Sequence, residues 1–270
     1  MSDDSLISFD VLCETLTGKT CPLISIITVT FNSEETIDRT LKSVFRQSYK
    51  NIEYIVIDGA STDGTVALIN KYVDAISYFS SEPDAGLYDA INKGLQIAKG
   101  DVVGLMHSDD FFADDGILAE IAEQFAQDNL DGVYGDAAFF RPHSPEKALR
   151  RYSSARFSPD RLSWGWMPAH TTLYLRRTMY ERLGLFKTDY AIAADFDFVC
   201  RLFLQRDVCI RYLPKVLVKM QIGGISTSGW GATIRLNQEV LRACRENGLQ
   251  SNWFKILSRY PAKLLEMLRR

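Results

Sequence analysis

The sequence has few cysteines and no spacing of them that would build a disulfide framework or a zinc site. The five cysteines are odd in number, scattered through 270 residues and without a C-x-x-C pair: Cys13, Cys21, Cys200, Cys209 and Cys244. Such usage is typical of a protein in a reducing compartment, where free thiols persist.

Long apolar runs and a basic leader are also absent. No stretch approaches the roughly 20 consecutive apolar residues that a membrane-spanning helix needs. The opening, MSDDSLISFD, carries acids where a secretory signal carries basic residues. We therefore expect a cytoplasmic protein. With 46% hydrophobic and 24% charged residues, the composition is that of a globular chain able to bury a sizeable core.

Two phosphate-binding motifs are missing as well. The chain contains neither the G-x-x-x-x-G-K-[ST] loop of P-loop enzymes nor the G-x-G-x-x-G turn of dinucleotide-binding proteins. A bound nucleotide would therefore need another kind of site.

What the sequence does contain is an alternation of predicted strands and helices. Apolar, β-branched runs predict strands at 23–31, 51–58, 76–79 and 101–106, each followed by a predicted helix. This spacing is typical of βαβ units and predicts an α/β fold with a mostly parallel sheet. Beyond residue 131 the pattern predicts strands at 132–140, 170–177 and 216–222, helices at 195–206 and 233–246, and a basic, aromatic stretch at 141–168.

Polar residues follow three of the predicted strands at the point where each strand ends. They are Thr30-Phe31-Asn32, Asp58-Gly59 and Ser108-Asp109-Asp110. Because ligands bind beyond the carboxyl ends of the strands in such sheets, we expect these side chains to lie near one another at one edge.

The adjacent carboxylates of Asp109 and Asp110 are costly at the end of a buried strand unless a cation or ordered donors compensate them. One interpretation is a divalent metal site, since carboxylate oxygens suit Mg²⁺ or Mn²⁺. The other is the capping of the following helix.

Asp58 also has two interpretations: it accepts a hydrogen bond from a nucleotide base or ribose, or it forms a local Asx-turn.

Three segments, taken in order, resemble the family 2 glycosyltransferases. They are SIITVTFNSEETIDRTLKSVFRQSYKNIEYIVIDGASTDGT, DAGLYDAINKGLQIAKGDVVGLMHSDD and AADFDFVCRL. The resemblance covers residues 22–225 and is strongest to bacterial exopolysaccharide, colanic-acid and O-antigen enzymes. It implies a GT-A fold with a Rossmann-like sheet, an inverting reaction and a UDP- or GDP-linked sugar as donor.

The resemblance also implies four regions along the chain. They are an N-terminal extension at 1–21, a nucleotide-sugar-binding half at 22–130, an acceptor and catalytic half at 131–232, and C-terminal helices with an amphipathic tail at 233–270.

Single residues take roles from the same resemblance. Those expected to contact the donor are Thr30, Phe31 and Asn32 at the base and ribose, Asp58 at the base, Asp84, Asn92 and Lys93 beside the donor, and Asp109 at the ribose. Asp110 is expected to hold Mn²⁺ or Mg²⁺ on the diphosphate, with Ser108 in place of the first acid of the usual D-x-D motif. Asp195 is expected to be the catalytic base, and Ala194 replaces the glutamate that many relatives have beside it.

Other residues keep an open interpretation. Asp197 is the second candidate for the base, but two residues along a helix it points away from Asp195 and is interpreted as a first-turn acid. Tyr88 and Lys93 are interpreted as helix-face residues, with a catalytic role as the alternative. The segment 223–232 is either a lid over the diphosphate or a surface loop. Candidates for contact with the acceptor or diphosphate, or alternatively structural residues, are Trp164, Trp166 and His170.

The net charge of −3 is unevenly divided. Residues 253–270 carry five basic residues and one acid, a charge of +4, which leaves −7 for the rest of the chain.

In the tail formed by residues 253–270, Pro261 is expected to separate two helical pieces. An apolar face recurs at helical spacing (Trp253, Ile256, Leu257, Tyr260, Leu264 and Met267 or Leu268) beside a basic stripe of Lys255, Arg259 and Lys263. The pattern fits a helix on an anionic membrane surface or a helix packed on the core.

The expected function is therefore inverting, metal-dependent sugar transfer to a glycan or polyprenyl-linked acceptor in bacterial surface polysaccharide synthesis, at the cytoplasmic face of the inner membrane. Nucleic acid is not an expected partner. One alternative is a nucleotidyltransferase that makes a nucleotide-sugar, although the acidic TFNSEE stands where that class needs a basic, glycine-rich loop. Another is a non-catalytic sugar-binding scaffold, which would not need Asp58, Asp109, Asp110 and Asp195.

Overall fold

The structure is a computed structural model that describes residues 21–268 apart from 128, 143 and 224–228. Residues 1–20 of the predicted N-terminal extension and residues 224–228 of the glycine- and serine-rich segment lie outside this part of the chain. The described strands form one sheet in the order β3-β2-β1-β4-β8-β6-β9-β5, with β7 paired to β6. Their bounds are β1 Ile24–Thr30, β2 Ile52–Asp58, β3 Tyr78–Ser81, β4 Val102–His107, β5 Phe111–Phe112, β6 Gly132–Arg141, β7 Ser144–Tyr152, β8 Tyr174–Arg176 and β9 Ile210–Gln221.

The first four pairing strands, β3-β2-β1-β4, are all parallel, as the βαβ pattern predicted. Their register is level at the carboxyl edge. Thr30 of β1 lies beside Asp58 of β2, and Val29 lies beside His107 of β4. Every residue of β1 is buried, which explains its unbroken apolar and β-branched sequence.

Helices cover both faces of the sheet. They are α1 Ile37–Phe45, α2 Thr65–Asn70, α3 Leu87–Ile97, α4 Ile117–Gln127, α5 Arg177–Leu183, α6 Ala194–Phe203, α7 Trp230–Glu246 and α8 Trp253–Leu268. Alternate residues of β1 supply two separate apolar cores: Ile27 and Val29 pack on the α3, α6 and α7 side, and Ile24 and Ile26 on the α1 and α4 side. The predicted α/β, Rossmann-like fold is confirmed.

The second half differs from prediction in detail. β7 lies within the stretch that was not predicted as regular structure, because its run of charged residues shows no clear apolar alternation. The strand predicted at 170–177 is only β8, between a 3₁₀ turn at His170–Thr172 and helix α5. β9 begins at Ile210, earlier than predicted, since a register shift against β6 accommodates Pro214.

The C-terminal helix α8 runs through Pro261 as one element, so the predicted division into two pieces was wrong. A proline removes one backbone hydrogen bond and can bend a helix without ending it. The predicted basic stripe was also wrong, because Arg259 is buried together with Ile256 against the body of the protein. No helix in the described ranges is long and apolar enough to cross a bilayer.

Gly104 in β4 gives a direct test of the packing between the two halves of the sheet. A Cβ atom added at Gly104 would lie 2.2 Å from Cε1 of Tyr174 on the neighbouring strand β8. We expect Gly104→Ala to lower the free energy of unfolding by about 1–3 kcal/mol through overpacking, measured by urea denaturation. Gly231→Ala is the control, because its added Cβ meets nothing within 4 Å. Equal unfolding midpoints for the two variants would contradict this packing.

Candidate active site

A cavity of about 1910 Å³ opens at the carboxyl edge of the parallel strands. It is lined by most of the residues that the sequence singled out: Thr30, Phe31, Asn32, Asp84, Asp109, Asp110, Trp166, His170 and Asp195. The remaining predicted residues, Asp58, Asn92, Lys93 and Trp164, lie elsewhere among the described residues.

The loop after β1 forms one wall of the cavity. Phe31 is 62% exposed there, an unusual exposure for a large ring at the end of a buried strand. Asn32 adopts the left-handed conformation (φ 47°), which asparagine tolerates. Its backbone N–H donates to Ser61 Oγ at 2.8 Å, and its side-chain oxygen accepts from the Thr62 N–H at 2.9 Å. These bonds hold the Phe31 ring at the cavity.

Asp58 lies behind that wall, not on it. The residue is fully buried, and its carboxylate accepts hydrogen bonds from the Ser61 N–H (2.9 Å), Ser61 Oγ (2.5 Å) and Ser81 Oγ (2.6 Å). This is the Asx-turn interpretation. In this arrangement Asp58 positions Ser61, which in turn holds Asn32, and direct contact between Asp58 and a donor stays a prediction.

The acid pair follows β4 at the floor of the cavity. Burial raises the pKa of Asp109, and burial together with the neighbouring Asp109 carboxylate raises the pKa of Asp110 well above its usual range. Asp110 Oδ1 accepts from the Gln221 N–H at 3.2 Å, whereas Asp110 Oδ2 is buried with no hydrogen-bond partner among the described residues. A buried carboxylate oxygen left in this state is costly unless a ligand completes it.

Arg39 of α1 is the cation next to the acid pair, and sequence reasoning missed it. Its guanidinium donates to the Asp109 carbonyl (3.3 Å) and to Gln221 Oε1 (3.0 Å), and it stacks on Phe111 and Phe140 with its Cζ 4.9 and 4.8 Å from the ring centres. No local signal marked Arg39, because a charged residue two positions after the apolar Ile37 is the ordinary pattern of an amphipathic helix.

This donor set fits a divalent cation. Within the described ranges no three histidine, cysteine or acidic side chains converge as a self-sufficient metal cage. Mg²⁺ and Mn²⁺ do not need one when they bind through one or two carboxylates and take their other ligands from phosphates and water. The unpartnered oxygen of Asp110 supplies such a carboxylate.

Asp195, in the first turn of α6, also lines the cavity. Its Oδ1 accepts from the Phe196 N–H at 2.7 Å, and its Oδ2 lies 3.1 Å from His170 Nδ1. His170 Nε2 in turn lies 2.6 Å from Nε2 of His107, the last residue of β4. Burial, with His170 as a smaller contributor, lowers the pKa of His107 to about 3, so His107 is neutral.

Tyr88 also reaches this part of the cavity, which corrects its interpretation as a helix-face residue. Its hydroxyl donates to the Ile192 carbonyl and lies 3.4 Å from Asp195 Oδ1. Burial and the Asp195 carboxylate raise the pKa of Tyr88 above its ordinary value. The contact joins residues 107 positions apart, so no local sequence pattern could have revealed it.

Asp197 is a structural residue. It is completely buried, and its carboxylate accepts from Lys187 Nζ, Arg201 Nε and Asn247 Nδ2, each at 2.9 Å. The carboxylate is therefore satisfied away from the cavity, and Asp195 is the acid of α6 that lines the cavity.

Three predicted contact residues turn away from the cavity. Asn92 uses both ends of its amide on the backbone of Phe186, at 2.8 and 3.0 Å. Lys93 pairs with Glu82 at 3.1 Å on the protein surface. The ring of Trp164 faces Lys255 of α8, whereas Trp166 lines the cavity. Asn92 and Lys93 miss the cavity, because α3 meets it only with its first turn, at Leu87, Tyr88 and Ala90.

The β6–β7 hairpin supplies a further wall that was not predicted. Arg150 lies over the rings of Phe139 and Tyr152, with its Cζ 5.0 and 6.0 Å from their centres, and all three line the cavity. No hydrogen bond or ion pair joins the Arg150 guanidinium to another side chain within the described ranges. This wall therefore combines aromatic surface with an available cation, next to Trp166.

A mostly parallel sheet whose strands end at a cavity lined by several acids is the arrangement of many α/β enzymes. The family model described as glycosyl transferase family 2 matches residues 25–205, and the chain belongs to that family. It is a glycosyltransferase.

Curated relatives agree with this assignment. The chain is 31% identical over 227 residues to an uncharacterized glycosyltransferase of Mycobacterium tuberculosis, with 78% of each chain covered. It is 28% identical over 212 residues to a PGL/p-HBAD biosynthesis glycosyltransferase of Mycobacterium bovis, with 77% of this chain and 80% of the relative covered.

Solved structures share the fold. Staphylococcus aureus TarS in complex with UDP-GlcNAc superposes with a TM-score of 0.66 at 20% identity, over 85% of this chain and 67% of that chain. The mannosyltransferase PcManGT from Pyrobaculum calidifontis, in complex with GDP-Man and Mn²⁺, gives 0.60 at 21% identity, over 83% of this chain and 64% of that chain. The chain thus spans about two thirds of the length of these structures.

The contrast between Asp195 and Asp197 can be tested by stability alone. Asp197→Asn leaves the charges of Lys187 and Arg201 without their buried counter-ion, so we expect a loss on the order of 3 kcal/mol in the free energy of unfolding. Asp195→Asn, at a cavity wall, should cost less than about 1 kcal/mol. Both values come from urea denaturation at neutral pH. A larger loss for Asp195→Asn would overturn the division into a structural and a site residue.

Proposed function

We propose that this protein transfers a sugar from a UDP- or GDP-sugar to a lipid-linked glycan acceptor, with inversion at the anomeric carbon and with Mn²⁺ or Mg²⁺ bound by Asp110. The observation that carries the proposal is that one cavity is lined by two acids with different surroundings. Asp110 has a buried, unpartnered oxygen suited to a cation, and Asp195 is an oriented carboxylate suited to a base.

The two acids divide the chemistry between them. Asp195 takes the proton of the acceptor hydroxyl while the oxygen of that hydroxyl bonds to the anomeric carbon. At the same time the bond from the anomeric carbon to the diphosphate breaks. Asp110 would hold a divalent cation, which when bound would supply positive charge to offset that of the leaving nucleoside diphosphate. An inverting transfer needs no second protein acid, in contrast to a glycosidase. Phe31 offers its exposed face to the nucleotide base, and Asp109 accepts from the ribose.

The choice of donor class is supported by the structural neighbours. TarS was solved with UDP-GlcNAc and PcManGT with GDP-Man and Mn²⁺. Both are nucleoside diphosphate sugars, and the cavity of about 1910 Å³ has room for such a donor together with an acceptor.

The acceptor class is supported by the hairpin wall and by α8. Arg150 can hold a phosphate or diphosphate, and Trp166 and Tyr152 offer faces for sugar rings. At the start of α8 three large apolar side chains face outward: Trp253, Phe254 and Leu257 are 44%, 77% and 46% exposed. Aromatic and aliphatic side chains on the outer face of a helix suit the interface of a membrane that carries a lipid-linked glycan. The inner face of the same helix packs on the core through Ile256 and Arg259, which supports the core-packing interpretation for that face, and membrane docking is proposed for the outer face alone.

The reaction is tested with a panel of UDP- and GDP-sugars and a polyprenyl diphosphate-linked acceptor, scored for nucleoside diphosphate release with and without Mn²⁺ or Mg²⁺. We expect Asp195→Asn to lower kcat by about 10²–10⁴-fold with unchanged donor binding. Asp110→Asn should abolish metal-dependent donor binding, measured by calorimetry. The product should show the anomeric configuration opposite to that of the donor sugar by NMR.

Asp115→Asn is the matched control, because Asp115 is an exposed acid beside α4 whose partner is Arg46 at 3.5 Å. It should retain full activity. Near-normal turnover by Asp110→Asn would remove the metal assignment. Consumption of a nucleoside triphosphate with release of inorganic diphosphate would instead support the nucleotidyltransferase alternative.

Membrane docking is tested by sedimentation with anionic liposomes at low salt. We expect the triple variant Trp253→Ser, Phe254→Ser, Leu257→Ser to lose most binding while keeping its fold, since all three side chains are exposed. Val73→Ser with Tyr78→Ser changes two equally exposed side chains, 43% and 45%, at the β3 end of the sheet, and should bind like the wild type. Equal binding by all proteins would exclude α8 as the docking surface. Truncation before α8 is unsuitable, because it removes the buried Ile256 and Arg259.

A further inference from the structure

A line of three polar side chains runs from the sheet to the proposed base. His107 Nε2 lies 2.6 Å from His170 Nε2, and His170 Nδ1 lies 3.1 Å from Asp195 Oδ2. Each residue comes from a different element: His107 ends β4, His170 begins a 3₁₀ turn, and Asp195 lies in the first turn of α6. All three line the cavity.

The protons on this line can be placed by counting donors and acceptors. An ionised Asp195 only accepts, so the nitrogen that faces it, His170 Nδ1, must carry a proton. When His170 is neutral it has this one N–H, so its Nε2 is then an acceptor. The nitrogen that meets it, His107 Nε2, must therefore be the donor.

We infer that His107 and His170 are positioning residues, in which His107 donates to His170 and thereby fixes the tautomer that donates to Asp195. This inference rests on the proposed function for its catalytic meaning, but the proton arrangement is a property of the folded protein itself. Neither histidine needs to contact substrate for this role.

The arrangement has two chemical consequences. First, His170 cannot act as the base, because its Nδ1 already carries a proton and its Nε2 lone pair is occupied by His107. Second, donors lie against both oxygens of the Asp195 carboxylate: the Phe196 N–H at Oδ1 and His170 Nδ1 at Oδ2, with the Tyr88 hydroxyl 3.4 Å from Oδ1. These contacts fix the plane of the carboxylate, and the second lone pair of Oδ2 stays open to the acceptor hydroxyl.

The proton positions can be read directly by NMR of protein labelled with ¹⁵N-histidine. The chain has three histidines, so His143→Gln completes the assignment. At pH 8, where an ordinary imidazole is neutral, we expect His170 to be protonated at Nδ1 and His107 at Nε2. The opposite tautomer at either residue in the wild-type spectrum would overturn the inference, whether or not any donor sugar is turned over.

Two substitutions at His107 connect the tautomer to the reaction. His107→Phe removes the donor, so His170 should exchange between tautomers and kcat should fall by up to about 100-fold with an unchanged donor KM. His107→Gln keeps an N–H donor and should restore both the His170 tautomer and most of kcat. A wild-type His170 tautomer in His107→Phe would overturn the inference, as would an equal fall in kcat for both variants. A supported tautomer without sugar transfer would contradict only the proposed function.

Discussion

The level register of the parallel strands is the constraint on which the rest of the structure depends. Thr30 lies beside Asp58, and Val29 beside His107, so three strands end at the same height. A shift of one residue in either pairing would turn each strand's side chains to the opposite face of the sheet. The loops that carry Phe31 and Asp110 meet at one cavity only because this register is fixed by two buried apolar cores, one on each face.

The same edge concentrates an electrostatic cost that the fold only partly offsets. Asp109 and Asp110 are buried next to each other, and burial raises the pKa of both carboxyls. Arg39 lies close enough to lower this cost, yet its guanidinium donates to the Asp109 backbone and to Gln221 instead of to a carboxylate. The acid pair thus keeps a carboxylate oxygen available for a ligand at the expense of stability. Such strain is common where a site must bind a charged group.

The sequence revealed what depends on local pattern and on the chemistry of single residues. The β-branched runs of β1 and β2 predicted the parallel half, and the unusual acid pair predicted the cavity floor. Tyr88, Arg39 and His107 were missed or undervalued, because their roles arise from contacts between segments far apart in the chain. Asn92 shows the converse error. It lies in a segment that resembles the family's donor-binding motif, yet its position on the helix directs its amide to the backbone of Phe186.

The buried arginine of α8 has a consequence for how the two ends of the site communicate. Arg259 donates to the Gly165 carbonyl at 2.9 Å and to Asn237 Oδ1 at 2.7 Å, and so fastens the C-terminal helix to the turn that carries Trp166. The same helix therefore carries exposed apolar side chains on its outer face and a cavity-lining residue, Arg259, on its inner face. Thermodynamic reciprocity then applies to it: if docking the outer face on lipid favours acceptor binding, a bound acceptor must tighten the docking by the same factor. Under the proposed function, the enzyme would then stay longer on a membrane that carries its acceptor than on one that does not.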